Sequence, residues 1–576
     1  MPSSQSYEVP DDSLDNEQRA AVEAKEPAIA VLAGPGSGKT RALSFRTRYL
    51  LLKDPTASAL LLTFTNKAAA EMKSRALRAS GLPTRRIQGS TFHTFCSQLL
   101  RAHGQLVGVP KEFEILDRED ARAIAATVVR PDLADQIMRD WNGHRVRRER
   151  VTAVLKQFGT KYQAAKLSQN ALDFDDLVVY AADLLTGNGD VATAYGGKFR
   201  HILVDEFQDT NAVQIDIIAA LAAHATTVSI FADDDQAIFG FAGAESENID
   251  RFVAKMSATK YPLTVNYRSG EKIVALANRL ISAAADGSGR TMKAYKGGGE
   301  VRFLEFADTI LEAKAIAAEI QKGLDAGRKP AEHAVLVRTR YRADLIVDEL
   351  QRRAIPVSDW RGEAQTPYER RIFAACLATV RGQLSKRQVA RLCEVMKTVA
   401  SNERETHRFL KAHSSQPLAK GLMAMRDLVF NGANAYAVSK AIQQALELQN
   451  ATLGKSLAGV VEAVSHFQSV DAEFSVEHLL EELALGSAGN APTEGGGIKV
   501  ASLHRTKGLQ WPTVYLLGLE QGQLPHYKSP TDPEERRLCF VGVSRAQDSL
   551  TVTYCKKSGA HRQLPSPFLT EMGLKP

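Results

Sequence analysis

The sequence is short of cysteine and tryptophan and has no long apolar run. Its five cysteines, Cys96, Cys376, Cys393, Cys539 and Cys555, are odd in number, scattered, and never in CxxC spacing. That argues against a disulfide framework or a cysteine zinc site and favours a reducing compartment. No apolar stretch approaches the roughly 20 residues that span a bilayer. The opening MPSSQSYEVPDDSL has no apolar core and is not a secretory signal. The expected location is the cytoplasm, with no membrane partner. A strong charge of one sign is also missing. Lys and Arg number 73 against 66 Asp and Glu, a formal net charge of +7. That balance permits a nucleic-acid partner without establishing one.

What is present is length and order. At 576 residues, 44% hydrophobic and 24% charged, the chain has the composition of a globular protein with several cores. Residues 1–12 read as a disordered leader, and a helical pattern starts at Leu14. Ala28–Leu32 and Leu60–Thr65 are short apolar runs of strand type, each followed by a helix. From about Arg101 to Lys198 the pattern is helical and strand-poor, and it carries a basic patch, HRVRRER, at His144–Arg150. Strands return at His201–Val204 and Thr227–Phe231. A second strand–helix–strand pattern follows Gly297–Gly299. A second helical, alanine-rich stretch runs from about Arg381 to Ala488 and closes on GSAGNAPTEGGG, a flexible linker by composition. Strands resume at Ile498–Leu503 and Val514–Gly518. Strands alternating with helices predict an α/β fold with parallel sheets.

Ala33–Thr40 reads A-G-P-G-S-G-K-T, between a strand and a helix, the context of a phosphate-binding loop. Ala33 stands where the strict pattern has glycine. Gly34, Gly36 and Gly38, with Pro35 and Ser37 between them, let the backbone fold into a nest of N–H groups. The helix N-terminus adds partial positive charge. Lys39 is expected to reach the β- and γ-phosphates of ATP, and Thr40 to hold Mg2+. Ile202–Gln208, ILVDEFQ, is a buried strand ending in two carboxylates. Asp205 is the expected metal ligand and Glu206 the group that deprotonates the attacking water. Alone, such a strand end is common; some 165 residues beyond a phosphate-binding loop it gains specificity.

The remaining motifs resemble one family, the UvrD/Rep/PcrA group of superfamily 1 helicases. LDNEQRAAV from Leu14, LTFTNKAAAEM from Leu62, GSTFHTFC from Gly89 and DFDDL from Asp173 look like its early motifs. VDEFQDTN from Val204, ADDDQAIFGFAGA from Ala232 and LTVNYRS from Leu263 follow. The long IKVASLHRTKGLQWPTVYLLGLEQGQLPH from Ile498 and EERRLCFVGVSRA from Glu534 complete the order. The resemblance implies two RecA-like parallel-sheet motor domains, each with a mainly helical insertion. The expected division is 1–100 and 198–275 for the first motor domain, with 101–197 as its insertion. For the second it is 276–380 and 494–576, with 381–493 inserted.

Carried over residue by residue, the resemblance implies that Gln18 reads adenine and that Arg41 and Tyr267 sandwich it. Gln236 would sense the γ-phosphate. Arg268 and Arg545 would reach that phosphate from either side of the cleft, and Gln510 would meet the ribose. Phe64, His93, Phe174 and Phe241 are the candidate DNA-stacking rings, and Thr65, Asn66 and Thr91 the candidate phosphate donors. Stacking tolerates any base, as a motor that steps over every sequence requires. The implied activity is ATP-driven 3′→5′ translocation on single-stranded DNA and unwinding at single/double-strand junctions, in repair, replication or recombination.

Three departures stand out. Phe241-Ala242 replace the family's Trp-Arg, Gln510 replaces a glutamate, and the second insertion is shorter than usual. Two other readings compete: a motor subunit of a nuclease–helicase complex, and a weakly unwinding DNA-binding scaffold. Only about 30 residues follow the last motif, against the first; the intact catalytic set argues against the second. Stacking contacts alone suit RNA as well as DNA.

Overall fold

The computed structural model describes residues 14–80, 83–240, 243, 247–284, 289–358, 367–380, 386–397, 410–430, 434–470, 475–476, 479–480, 483, 496–529 and 533–575. The leader, Phe241-Ala242 and most of GSAGNAPTEGGG lie outside the described residues.

Two six-stranded sheets, both fully parallel, organise the chain. In the first the strand order is Ile87–Thr91, Ala59–Thr63, His201–Val204, Thr227–Ala232, Ala28–Ala33 and Thr259–Leu263. Side chains alternate between its faces, as a strand's two-residue period demands. Ala28, Ala30, Leu60, Leu62, Ile202 and Val204 enter one core, and Ile29, Val31, Leu61, Leu203 and Phe231 the other. The second sheet runs Glu300–Phe306, Ala546–Cys555, Trp511–Leu516, His333–Val337, Ile498–Ser502 and Val357–Ser358. Its faces split in the same way: Ala334, Leu336, Val514 and Val552 on one side, Val335, Val337, Val500 and Tyr515 on the other. Burial on both faces explains why these strands are continuous apolar runs.

The helical stretches divide differently from the sequence expectation. Phe174–Gly187 was expected in the first insertion. Its Leu177, Val178, Ala181 and Leu185 instead join the core on the first sheet. The insertion's own small core comprises residues between Leu116 and Ala171. The crossover from Ile87–Thr91 to His201–Val204 has to supply helices for that sheet face, and helical periodicity does not say which helices do so. Similarly, Pro367–Val380 was expected with the second sheet. Its Ile372, Phe373, Cys376 and Leu377 pack with the second helical stretch, as do Leu479 and Leu483. The two insertions meet through charge. Arg371 pairs with Asp117 and Glu119, Arg387 Nη2 with Glu114 at 2.8 Å, and Arg391 Nη2 with Asp120 at 2.6 Å.

The His144–Arg150 patch is largely consumed internally. Arg145 donates to Asp176 at 2.6 Å, and Arg148 to Asp183 at 3.1 Å and Asp216 at 3.2 Å. Among the described residues no helix is long and apolar enough to cross a membrane.

Candidate nucleotide site and nucleic-acid interface

The site forms where three adjacent strands of the first sheet end. Ala28–Ala33 delivers the phosphate-binding loop, His201–Val204 delivers Asp205 and Glu206, and Thr227–Ala232 between them delivers Asp233 and Gln236. Ala33 closes the first strand, buried, and Gly34 N–H donates to Leu263 O at 3.3 Å. Gly36 and Gly38 have φ of 72° and 78°. A Cβ on Gly36 would come within 2.6 Å of Arg268, and one on Gly38 within 2.6 Å of Gln18. Both positions therefore demand glycine on dihedral grounds, and Gly36 on steric grounds as well. Pro35 O accepts from Asn266 Nδ2 at 2.7 Å, and Ser37 Oγ donates to Gly34 O at 2.7 Å. Lys39 and Thr40 open the Lys39–Lys53 helix.

Lys39 Nζ lies 2.7 Å from Glu206 Oε2 and 3.7 Å from Asp205 Oδ1. Burial works against its charge, but the two carboxylates outweigh it and raise the ammonium above its ordinary value. Burial would likewise raise Glu206; Lys39 and Lys507 overcome it and hold this carboxyl low. Asp205 goes the other way, raised chiefly by burial. Glu206 adopts a left-handed backbone, φ 51° and ψ 40°, uncommon for a side chain of its size. Gln208, which the sequence reading passed over, ties Glu206 to the start of the Asp233–Gln236 turn. Its Nε2 donates to Glu206 Oε2 at 2.5 Å, and its Oε1 accepts from Asp233 N–H at 2.9 Å.

The arginines enter from the second sheet's side. Arg545 is 1% exposed. Its Nη2 donates to Gln236 Oε1 at 2.8 Å, while Nε and Nη1 donate to Val541 O and Leu509 O. Burial, with Arg268 nearby, pulls Arg545 down to about 9, and burial brings Arg268 to about 10. Arg268 Nη1 donates to Ser544 O at 3.0 Å. Gln236 Nε2 also donates to Asp233 Oδ2 at 2.5 Å, so this amide joins the two lobes.

Beside the loop, Gln18 is buried. Its Nε2 donates to Ser37 O at 2.8 Å, and it completes a capping box with Asp15. Here the glutamine braces the phosphate loop. Tyr267 donates its hydroxyl to Asp15 Oδ2 at 2.5 Å. Arg41 is exposed, its guanidinium 5.8 Å from the Phe45 ring centroid. Gln510 is exposed just before the Trp511–Leu516 strand.

Family profiles match most of the chain: the UvrD/REP helicase N-terminal domain at residues 14–257, and the UvrD-like helicase C-terminal domain at 261–381 and 400–557. The chain belongs to the UvrD/REP helicase family. It is 29% identical to DNA helicase II of Haemophilus influenzae and to that of Escherichia coli, over 97% of this chain and 87% of each relative. It is 26% identical to the ATP-dependent DNA helicase PcrA of Staphylococcus epidermidis, over 97% of this chain and 86% of that one. Within this UvrD/REP-type helicase the two sheets are the two halves of the motor.

Two cross-lobe contacts escaped the sequence reading. Lys507 Nζ bonds both carboxylate oxygens of Asp209 at 2.7 Å and the Gln236 carbonyl at 2.7 Å. Arg290 pairs with Asp233 at 3.0 Å, and with Asp234. The lone lysine of HRTKGLQ was a visible signal; GSGRTMK carries none for Arg290.

The candidate DNA rings fall into pairs. Phe64, 39% exposed, stacks on Phe239 at 5.2 Å and 19°, and Lys507 Nζ lies 5.2 Å from the Phe239 centroid. The sequence reading chose Phe241, outside the described residues, and missed Phe239 two positions earlier. His93 meets Phe174 edge-on at 6.1 Å, and burial lowers the imidazole to about 4. Thr65 is exposed and its Oγ1 accepts from Ala68 N–H at 3.2 Å. Asn66 opens the Asn66–Ser80 helix; its side chain is outside the described set. Thr91 corrects an expectation. It is 3% exposed, and its hydroxyl caps the next helix through Thr94 N–H at 3.1 Å. That hydroxyl is enclosed and already bonded, so it is not presented to a phosphate.

Proposed function

We propose that this ATP-dependent DNA helicase translocates 3′→5′ along single-stranded DNA and opens duplex at single/double-strand junctions. The observation that carries the reading is a continuous run of contacts. It goes from Glu206 through Gln208, Asp233 and Gln236 to Arg545, and from Gln236 and Asp209 through Lys507 to Phe239 and the exposed Phe64. Nucleotide chemistry and an exposed aromatic platform thus share one cross-lobe lysine.

In this reading the loop amides and Lys39 grip the phosphates. When Lys39 turns to them it leaves Glu206, whose proton affinity then rises, which suits a base for water. Arg545, buried, and Arg268, half-buried, have no carboxylate partner among the described residues and gain from an anion entering between them; an arginine so placed is worth about 10³–10⁵ in rate. Thr40 and Asp205 offer the hard oxygens that suit Mg2+, and Asp205 and Glu206 already hold a cation, the Lys39 ammonium. Bound there, Mg2+ would neutralise phosphate charge.

Phe64 and Phe239 stack bases, with His93 and Phe174 flanking. We also place the insertions at residues 104–172 and 367–495, inside the two halves of the motor, and expect a cytoplasmic role in DNA repair, replication or recombination. The test is ATP turnover with and without single-stranded DNA, then unwinding of duplexes with a 3′ or a 5′ tail. Stimulated turnover with preference for the 3′ tail is expected; equal or reversed preference sinks the polarity.

A further inference from the structure

The strand Val265–Gly270 pairs in parallel with Lys293–Lys296, but the register breaks. Ala294 faces Asn266, whereas Lys296 faces Gly270. Tyr295 therefore spans the stretch that Tyr267, Arg268 and Ser269 span opposite. A bulge of this kind bends the strand and re-aims its side chains, and here it carries two of the nucleotide-site residues. Tyr267 is held at three points. Its N–H donates to Gly36 O at 2.9 Å, its hydroxyl to Asp15, and its ring meets Tyr295 with centroids 4.9 Å apart at 42°. Tyr295 is 71% exposed. So solvated a ring adds little to any core, and its contact with Tyr267 needs another explanation. A base does not fit between two rings at that distance, so a base that stacks on Tyr267 has to meet its other face.

We infer that Tyr295 is a positioning residue for the purine base of the nucleotide. It backs one face of Tyr267 and fixes that ring's plane, leaving the opposite face to stack on the base. The inference rests on the reading of Tyr267 as the base-stacking residue. It predicts a role in nucleotide affinity and base selectivity, with no part in phosphoryl transfer.

The test is steady-state hydrolysis by the full chain at saturating single-stranded DNA, comparing Tyr295→Ala, Tyr295→Phe and Tyr267→Ala, with ATP and UTP as substrates. Tyr295→Ala should raise KM for ATP about three- to ten-fold, the range an aromatic pair supports, with little change in kcat. The smaller uracil stacks less, so KM for UTP should change less. Tyr295→Phe should behave as the parent. If Tyr267→Ala raises KM but Tyr295→Ala leaves it unchanged, the inference alone fails. A lowered KM in Tyr295→Ala would mean that this ring occupies the base's place, and also overturns it. An unchanged KM in Tyr267→Ala removes the base-stacking reading and the inference together. A fall in kcat accompanied by a lower melting temperature in Tyr295→Ala would assign the residue to stability instead.

Discussion

Lys507 joins the lobes through an ion pair closed off from solvent. Its side chain is 9% exposed and that of Asp209 is 1% exposed, so Lys507→Ala would strand a carboxylate in the interior. Removing one partner of a buried pair costs about 3–5 kcal/mol, most of it the penalty on the orphaned charge. The lysine stands on the second lobe while Asp209 and the Gln236 carbonyl stand on the first. The loss therefore falls on lobe closure, and 3–5 kcal/mol shifts such an equilibrium by about 10²–10⁴. DNA-stimulated kcat/KM for ATP should drop by about that factor. Asp209→Asn added to Lys507→Ala removes the stranded charge and should restore at least about ten-fold. Proton uptake provides a second check. Burial already lifts Asp209 to about 6, against the pull of Lys507. Without the lysine it rises further, so the orphan is neutralised as pH falls and the single mutant's deficit should shrink between pH 8 and pH 6. Equal impairment of the single and double mutants, with no pH dependence, would refute this account of Lys507.

Three further outcomes follow from the geometry. Lys39→Ala should abolish turnover, whereas Glu206→Gln should still bind nucleotide and fail to hydrolyse it; a binding titration beside a turnover assay separates them, and hydrolysis surviving in both would remove the cleft from the chemistry. Bridging Ser358 directly to Gly497 with a short Gly/Ser linker should give a soluble, DNA-stimulated ATPase, because Val357 pairs with Ile498 and the joints are neighbours; cutting only at 384–488 should aggregate, since it exposes Ile372 and Phe373, and the reverse solubility order would contradict the packing. Burial holds His93 at about 4 against an ordinary 6.5, so the unfolded chain binds the proton more readily; the stability this gives is full above about pH 6.5 and lost as pH falls toward 4, and thermal melting of His93→Phe should show a shallower acid decline, an unchanged slope being evidence against it.

Some of this protein was readable from residues alone. Gly36 and Gly38 fix left-handed turns, Lys39 and Thr40 follow them, and the apolar run before Asp205 and Glu206 sets a buried strand with acids at its end. These features depend on dihedral freedom, strand burial and short spacing, which a linear sequence records directly. Phosphate binding and two parallel sheets were therefore legible, and the ordered motifs carried the family. Tertiary structure decided what depends on docking. Lys507 meets Asp209 across 298 positions, and Arg545 meets Gln236 across 309. The motifs mark Lys507, Gln236 and Arg545 but not their pairing, because the partner of a buried charge is whatever the other lobe brings to it. The insertion limits are of the same kind: Phe174–Gly187 and Pro367–Val380 have ordinary amphipathic sequences, and only the surface each one covers assigns it to a sheet or to a helical core. Thr91 shows the converse, a hydroxyl that the resemblance offered to DNA and that the fold gave to a helix cap, because an enclosed N–H needs an acceptor.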